Sequence, residues 1–189
     1  MKPRCVSFAV LAVVLTVGAL PCARAVQYTQ VNATASTLSF TFTQMGSSVY
    51  GTFGVFEGTL DFDTDHLASA HAALTIQLDS IDAGSSDANS TLKEPAWFDT
   101  AKYPVARFAS TDVESKGDNH YLITGKLSLR GVTREVNVPV ELRSENAIGI
   151  FEGLLVLKRS DFNIGAGEWA DTVVSNDINI RFRMVAPQK

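Results

Sequence analysis

The residues that could do chemistry in this 189-residue chain are few and scattered. His66, His71 and His120 are its only histidines. His66 and His71 stand five apart, which matches no common zinc spacing, and His120 abuts a turn; solvated loop histidines are the commoner meaning. The stretch DFDTD, residues 61–65, offers carboxylate oxygens but lacks the downstream Gly and Glu of an EF-hand loop, so it reads as an acidic strand end. Serines are plentiful without a Gly-x-Ser-x-Gly elbow. No glycine-rich phosphate loop opens a helix, and Asn32-Ala33-Thr34 and Asn89-Ser90-Thr91 match a glycosylation pattern that arises often by chance. Arg159 and Asp161 lie two apart on one face of an extended segment, which suits a structural ion pair or a loop clamp.

Two polar residues interrupt otherwise apolar rows: Glu152 between Ile150 and Leu154, and Asn176 between Val174 and Ile178. If those rows face a cavity, each is a costly buried group that needs a partner. One reading makes them head-group contacts for an amphiphilic ligand. The other places them at a barrel mouth or against backbone groups. Glu152 is the only titratable residue that an enzymatic reading can nominate.

The segment before these residues must be set aside first. Lys2 and Arg4 precede an almost wholly apolar run over residues 6–20, and Ala23-Arg24-Ala25 supplies the small residues of a cleavage site. That layout predicts a secretory signal peptide cut after Ala25, residues 26–189 forming one exported periplasmic domain. Cleavage removes Lys2, Arg4 and Arg24 and no acid. It leaves 13 basic against 20 acidic residues, a net charge of −7. Such a chain is a poor candidate for nucleic acid, which demands clustered positive charge. Cys5 and Cys22 leave with the leader, so disulfides, thiolate metal sites and cysteine nucleophiles leave too. We expect no metal, no cofactor and no catalytic residue.

What the remaining chain offers in abundance is alternation with period two, the mark of strands with one buried face. Leu38, Phe40 and Phe42 form one row, and Leu74, Ile76 and Leu78 another. Tyr121, Ile123, Leu127 and Leu129 continue across a turn at Gly131 into Val136, Val138, Val140 and Leu142. The last row is Val174, Ile178, Ile180, Phe182 and Met184. Residues 49–63 switch parity, with Phe53 and Val55 on one side and Phe56, Leu60 and Phe62 on the other, which predicts a bulge or bend near Gly54. Residues 148–157 are apolar on both faces. Pro139 cannot donate to a ladder and belongs at an edge, a bulge or a strand end. Residues 86–102, interrupted by Pro95, predict one or two short helices. Residues 116–119 and 165–167 mark turns. About eight antiparallel strands with short turns mean a sandwich or a barrel, and long hairpins favour the barrel.

Four stretches, in order, resemble the YceI-like periplasmic proteins. They are STLSFTFTQMGSSVYGTFGVFEGTLDFD (36–63), WFDTAKYPVARFAST (97–111), GKLSLRGVTREVNVPVEL (125–142) and KRSDFNIG (158–165) followed by VVSNDINIRFRM. The resemblance covers nearly the whole exported domain. It implies an eight-stranded, antiparallel, lipocalin-like barrel around an apolar pocket, binding a polyisoprenoid, quinone-like or fatty-acid-derived amphiphile. It also implies a possible transient partner, a cytochrome b561-type membrane protein. No Gly-x-Trp motif opens the first strand, so a true lipocalin is not the match.

On that reading the pocket is lined by Phe40, Phe42, Phe53, Phe56, Leu74, Ile76, Leu78, Ile123, Leu127 and Val138. Ile178, Ile180 and Phe182 line it too, with Glu152 and Asn176 as polar contacts. Phe62 is a further aromatic wall candidate. Each CH₂ taken from water gains roughly 0.8 kcal/mol, so a long chain binds with few polar contacts. Three functions remain open on the sequence: a lipid carrier, a lipid-modifying enzyme and a filled barrel acting in interaction or stress. Alternation cannot tell lining from filling.

Overall fold

The computed structural model describes residues 26–165 and 173–189. Residues 1–25, which carry the expected leader, and Ala166, Gly167 and Trp169 lie outside the described residues. The alternating rows become the strands β1 (Gln27–Gln30), β2 (Thr37–Gln44), β3 (Ser47–Phe53), β4 (Phe56–Asp63), β5 (His71–Gln77) and β6 (Ile81–Asp82). After the helix α1 (Ser86–Lys93) follow β7 (Val105–Gly117), β8 (His120–Leu129), β9 (Val132–Glu145), β10 (Ile148–Lys158) and β11 (Asp177–Pro187). They form one sheet in the order β1-β4-β5-β7-β8-β9-β10-β11-β2-β3-β6, with every pairing antiparallel. The sheet curls into a barrel-like shell: Tyr28 of β1 bridges to Gln188, just past β11, and the Asn32 N–H donates to Val185 O at 2.7 Å.

Four hairpins carry most of this topology. Their two-residue loops are Met45-Gly46, Asp118-Asn119, Arg130-Gly131 and Asn146-Ala147, and all eight residues have positive φ. That is the backbone of a type I′ turn, whose twist matches the strands it joins.

Eleven strands form where eight were expected. The difference arises at three interruptions, of which the alternation reveals only the one near Gly54. Between β1 and β2, the Asn32 side chain accepts the Ala35 N–H and folds residues Ala33–Ala35 into a 3₁₀ turn. Between β3 and β4, the chain turns a corner instead of bulging within one strand. There the Gly54 N–H donates to Ser80 O at 3.1 Å and the Val55 N–H to Ser80 Oγ at 3.0 Å. Phe53 therefore faces inward, Val55 is exposed, and Phe56 faces inward again, which is the parity switch read from the sequence. Between β5 and β6, the 3₁₀ turn Leu78–Ser80 buries Leu78 almost completely.

One helix forms from residues 86–102. Ser85 caps it, its Oγ accepting the Ala88 N–H at 3.2 Å, a substitute partner for an amide that the first turn leaves free. The helix stops at Lys93, before Pro95. The following residues wind back so that the Phe98 N–H reaches Leu92 O at 3.0 Å. This winding turns Leu92, Trp97 and Phe98 towards the interior of the curled sheet.

Candidate functional site: an apolar cavity

The interior is packed at one end and hollow along the rest. At the packed end Phe62 meets Tyr121 and Phe151 edge to face, with ring centroids 5.0 and 5.2 Å apart, and Tyr28 meets Phe151 at 5.3 Å. These are favourable arrangements of the ring quadrupoles. Burial pushes the Tyr121 phenol above its ordinary pKa, with the neighbouring Tyr28 and Asp65 adding to the shift. The Tyr28 hydroxyl shares a hydrogen bond of 2.8 Å with Ser144.

Beyond this floor lies a cavity of about 240 Å³. Along β10 its wall runs from Phe151 to Leu157, about 20 Å at ~3.3 Å per residue. Phe40, Phe42, Phe53, Leu74, Ile76 and Leu78 stand on its wall, and so do Ile123, Leu127, Val138, Ile178, Ile180 and Phe182. Twelve of the residues named from the sequence are thereby brought together around one hollow. Apart from Thr59, the Trp97 indole and Arg159, every lining residue is apolar. Leu38 and the stacked rings of Phe40 and Phe42, 6.2 Å apart, form the β2 side. Phe53 leans on Phe40 and Phe98 at 5.4 and 6.3 Å.

Three residues named from the sequence lie elsewhere. Phe56 is buried in the packed core and does not reach the cavity. Glu152 is on the outward parity of β10, where its carboxylate pairs with Arg143 and, at 3.4 Å, with Arg183. It is a partly exposed ion-pair centre and not a buried polar contact. Asn176 precedes β11, and its Oδ1 accepts the Ser160 N–H at 3.0 Å, so its side chain ties two turns together. Phe62, a wall candidate, belongs to the packed floor.

The structure adds wall residues that alternation could not find. Leu92, Trp97 and Phe98 come from the helix and the winding after it, and Phe162 and Ile164 from the turn after β10. Arg159, 5% exposed, is the charged residue of the wall. It donates to the carbonyl oxygens of Ile164, Gly165, Val174 and Ser175 at 2.8–3.1 Å. Arg159 is therefore a loop clamp, tying the turn after β10 to the strand entry before β11 at the cavity wall.

The three histidines are exposed and do not meet. His66 Nδ1 lies 3.1 Å from Asp63, and His120 Nδ1 lies 2.8 Å from Asp118 O. Among the described residues, no group of three His, Cys, Asp or Glu side chains converges as a metal site would require. What the arrangement can do is take an elongated hydrocarbon out of water.

A family model described as the YceI-like domain matches residues 29–186. Protein YceI of Escherichia coli is 36% identical over 134 residues, covering 67% of this chain and 70% of that one. A UPF0312 protein of Photorhabdus laumondii is 35% identical over 136 residues, 68% of this chain and 70% of the relative. Among solved structures, Burkholderia cenocepacia BcnA superposes with a TM-score of 0.80 at 36% identity, covering 82% of this chain and 99% of that one. A Saccharophagus degradans domain described as polyisoprenoid binding superposes with a TM-score of 0.68 at 22% identity, over 86% and 99% of the two chains. These matches span the curled sheet and its cavity together, and the chain belongs to the YceI-like family.

Proposed function

We propose that this protein is exported, loses its leader after Ala25, and works in the periplasm as a carrier for a long-chain amphiphile. The ligand class is a polyisoprenoid, a quinone-like lipid or a fatty-acid derivative. The observation that carries the proposal is the continuous apolar cavity beyond the aromatic floor, with the Arg159 clamp at its wall. A hydrocarbon tail filling it would lose roughly 0.8 kcal/mol of unfavourable hydration per CH₂, with no polar partner needed along the wall. The Saccharophagus domain, described as polyisoprenoid binding, points to the same ligand class. A cytochrome b561-type membrane protein as handover partner belongs to this proposal as well.

Two observations weigh against the other readings. Glu152, the one acid nominated for catalysis, pairs with arginines outside the cavity. The hollow weighs against a filled barrel. The test is organic extraction of protein purified from its native host, followed by mass spectrometry, with titration of an isoprenoid quinone in parallel. A stoichiometric long-chain amphiphile and saturable quinone uptake are expected. Repeatedly empty extracts and no uptake would defeat the proposal.

A further inference from the structure

The wall of the cavity is not equally fastened all round. β8 and β9 pair over ten consecutive residues and β10 and β11 over eleven. Between them β9 and β10 pair only from Glu141 to Glu145 against Ile148 to Glu152. Residues 132–139 and 153–158 continue as strands without a ladder joining them.

The sequence explains where the ladder stops. The Leu142 N–H donates to Asn119 O, towards β8. Alternation then turns the backbone groups of Glu141, Pro139 and Asn137 towards β10. At Pro139, the first residue past the last pair whose backbone faces β10, there is no N–H to give. Gly153 lets the β9 backbone come close at this point without a ladder pair, since a Cβ there would collide with the Pro139 carbonyl oxygen and the Phe182 ring. On the laddered side the strands are further braced by the Arg143–Glu152 ion pair. The far end of the seam is held by side chains: Arg134 Nε donates to Asp161 O at 3.3 Å, and Arg130 reaches Asn163 O.

Between these fastenings the seam is apolar on its inner side and, on β10, on its outer side, where Glu135 and Asn137 of β9 face Leu154 and Val156. Val136, Val138, Leu155 and Leu157 line the cavity just within it. Leu154 and Val156, 43% and 51% exposed, form its outer lip on β10. Parting ladder strands elsewhere breaks backbone hydrogen bonds. Parting these breaks no ladder pair, and an incoming hydrocarbon can replace the apolar contacts of Val136, Val138, Leu155 and Leu157 with its own.

We propose that this unladdered seam between β9 and β10 is the lateral portal through which a ligand's hydrocarbon tail slides into and out of the cavity. The inference rests on the carrier reading, and it adds a route that the cavity alone does not specify. Because the exported domain contains no cysteine, the seam can be fastened with an introduced pair. N137C and V156C, on the outer side of the two strands, are joined by a short bis-maleimide, each thiol adding across one maleimide double bond. E114C and L122C, joined across the β7–β8 ladder, serve as the control. Stopped-flow quenching of tryptophan fluorescence by an isoprenoid quinone reads the rates.

The seam crosslink is expected to slow both association and release about tenfold or more while leaving equilibrium affinity nearly unchanged; the control crosslink is expected to change neither. Pro139→Val, which supplies the missing donor, is expected to slow exchange in the same direction by a smaller factor. Normal binding with unchanged rates in the seam-crosslinked protein overturns the portal alone. No quinone binding by the uncrosslinked protein overturns the carrier proposal and the portal with it.

Discussion

Both ends of the interior are built from inward aromatic residues, yet one is solid and the other hollow. At the solid end Tyr28 and Phe62 are 1% exposed and Phe151 is 4% exposed, and three edge-to-face ring contacts leave no room between strands. Gly149 makes this closeness possible, since a Cβ there would run into the Tyr28 ring. At the hollow end Phe42, Phe53 and Phe182 are only partly buried, and each turns one side to empty space. Inward orientation thus decides which residues leave the surface. Whether they touch across the interior depends on how many large side chains share one level and how far glycine and alanine let the strands approach.

Truncating one large side chain at each end tests this contrast most severely. Phe62→Ala is expected to cost about 3–5 kcal/mol, because it removes buried surface and leaves a void among tightly packed rings. Ile180→Ala, on the cavity wall, is expected to cost only about 1–2 kcal/mol, since the side chain already faces a hollow. Urea unfolding of both variants measures the difference. Equal losses would mean that the cavity collapses around a truncation as the floor does, and the distinction between the two ends would fail.

Enlargement reverses the comparison at a smaller scale. Ala186 is 0% exposed in the packed end, and Ala186→Leu is expected to lose about 1–3 kcal/mol through overpacking. Ala72 lines the cavity, where the added atoms of Ala72→Leu have space. Its stability is expected to change by less than about 1 kcal/mol, while quinone uptake falls because the leucine occupies ligand volume. Unfolding and titration of the same two proteins separate these effects.

Much of the cavity wall was legible because strand parity is a local property. Leu74, Ile76 and Leu78, or Ile178, Ile180 and Phe182, could be placed on one face without knowing any partner strand. The failures have physical causes. Glu152 looked like an interruption in an inward row because Ile150 and Leu154, its neighbours of like parity, are apolar. Ile150 is buried, but Leu154 belongs with Val156 to the exposed lip of β10. Asn176 precedes the first residue of β11, so the parity of Ile178 does not extend to it. Leu92, Trp97 and Phe98 reach the cavity from a segment with no alternation at all. The bend near Gly54 was legible in the parity switch, whereas the breaks around Asn32 and Ser80 depend on hydrogen bonds that a row of apolar residues does not encode. The solid floor and the hollow above it are a matter of which rows meet across the axis, and no single row carries that information.

The smallest expected effect is an acid response that differs between the two ends. Asp63 ends β4 beside the packed floor, and its carboxyl is held below the ordinary 3.8 first by the Asp65 N–H and then by the His66 side chain. Asp82 lies in β6 near α1, and is lowered first by the Gly84 N–H and then by the Asn89 amide. A carboxyl with a depressed folded-state pKa contributes stability above its unfolded value and loses it as pH falls through the folded one. Both contributions therefore fade below about pH 4. Losing the one at Asp82 frees the chain that leads into α1, because the same carboxylate contacts Gly84 and Asn89. Protection of residues 83–93, taken relative to the intrinsic exchange rate at each pH, is expected to fall in acid in the natural protein, and Asp82→Asn should remove most of that pH dependence. Asp63→Asn should leave exchange near α1 as acid-sensitive as before, with its own effect confined to β1 and β4. Should Asp63→Asn instead flatten the response at α1, the floor and the cavity wall would be one cooperative unit, and the difference between them would be one of packing without being one of local stability.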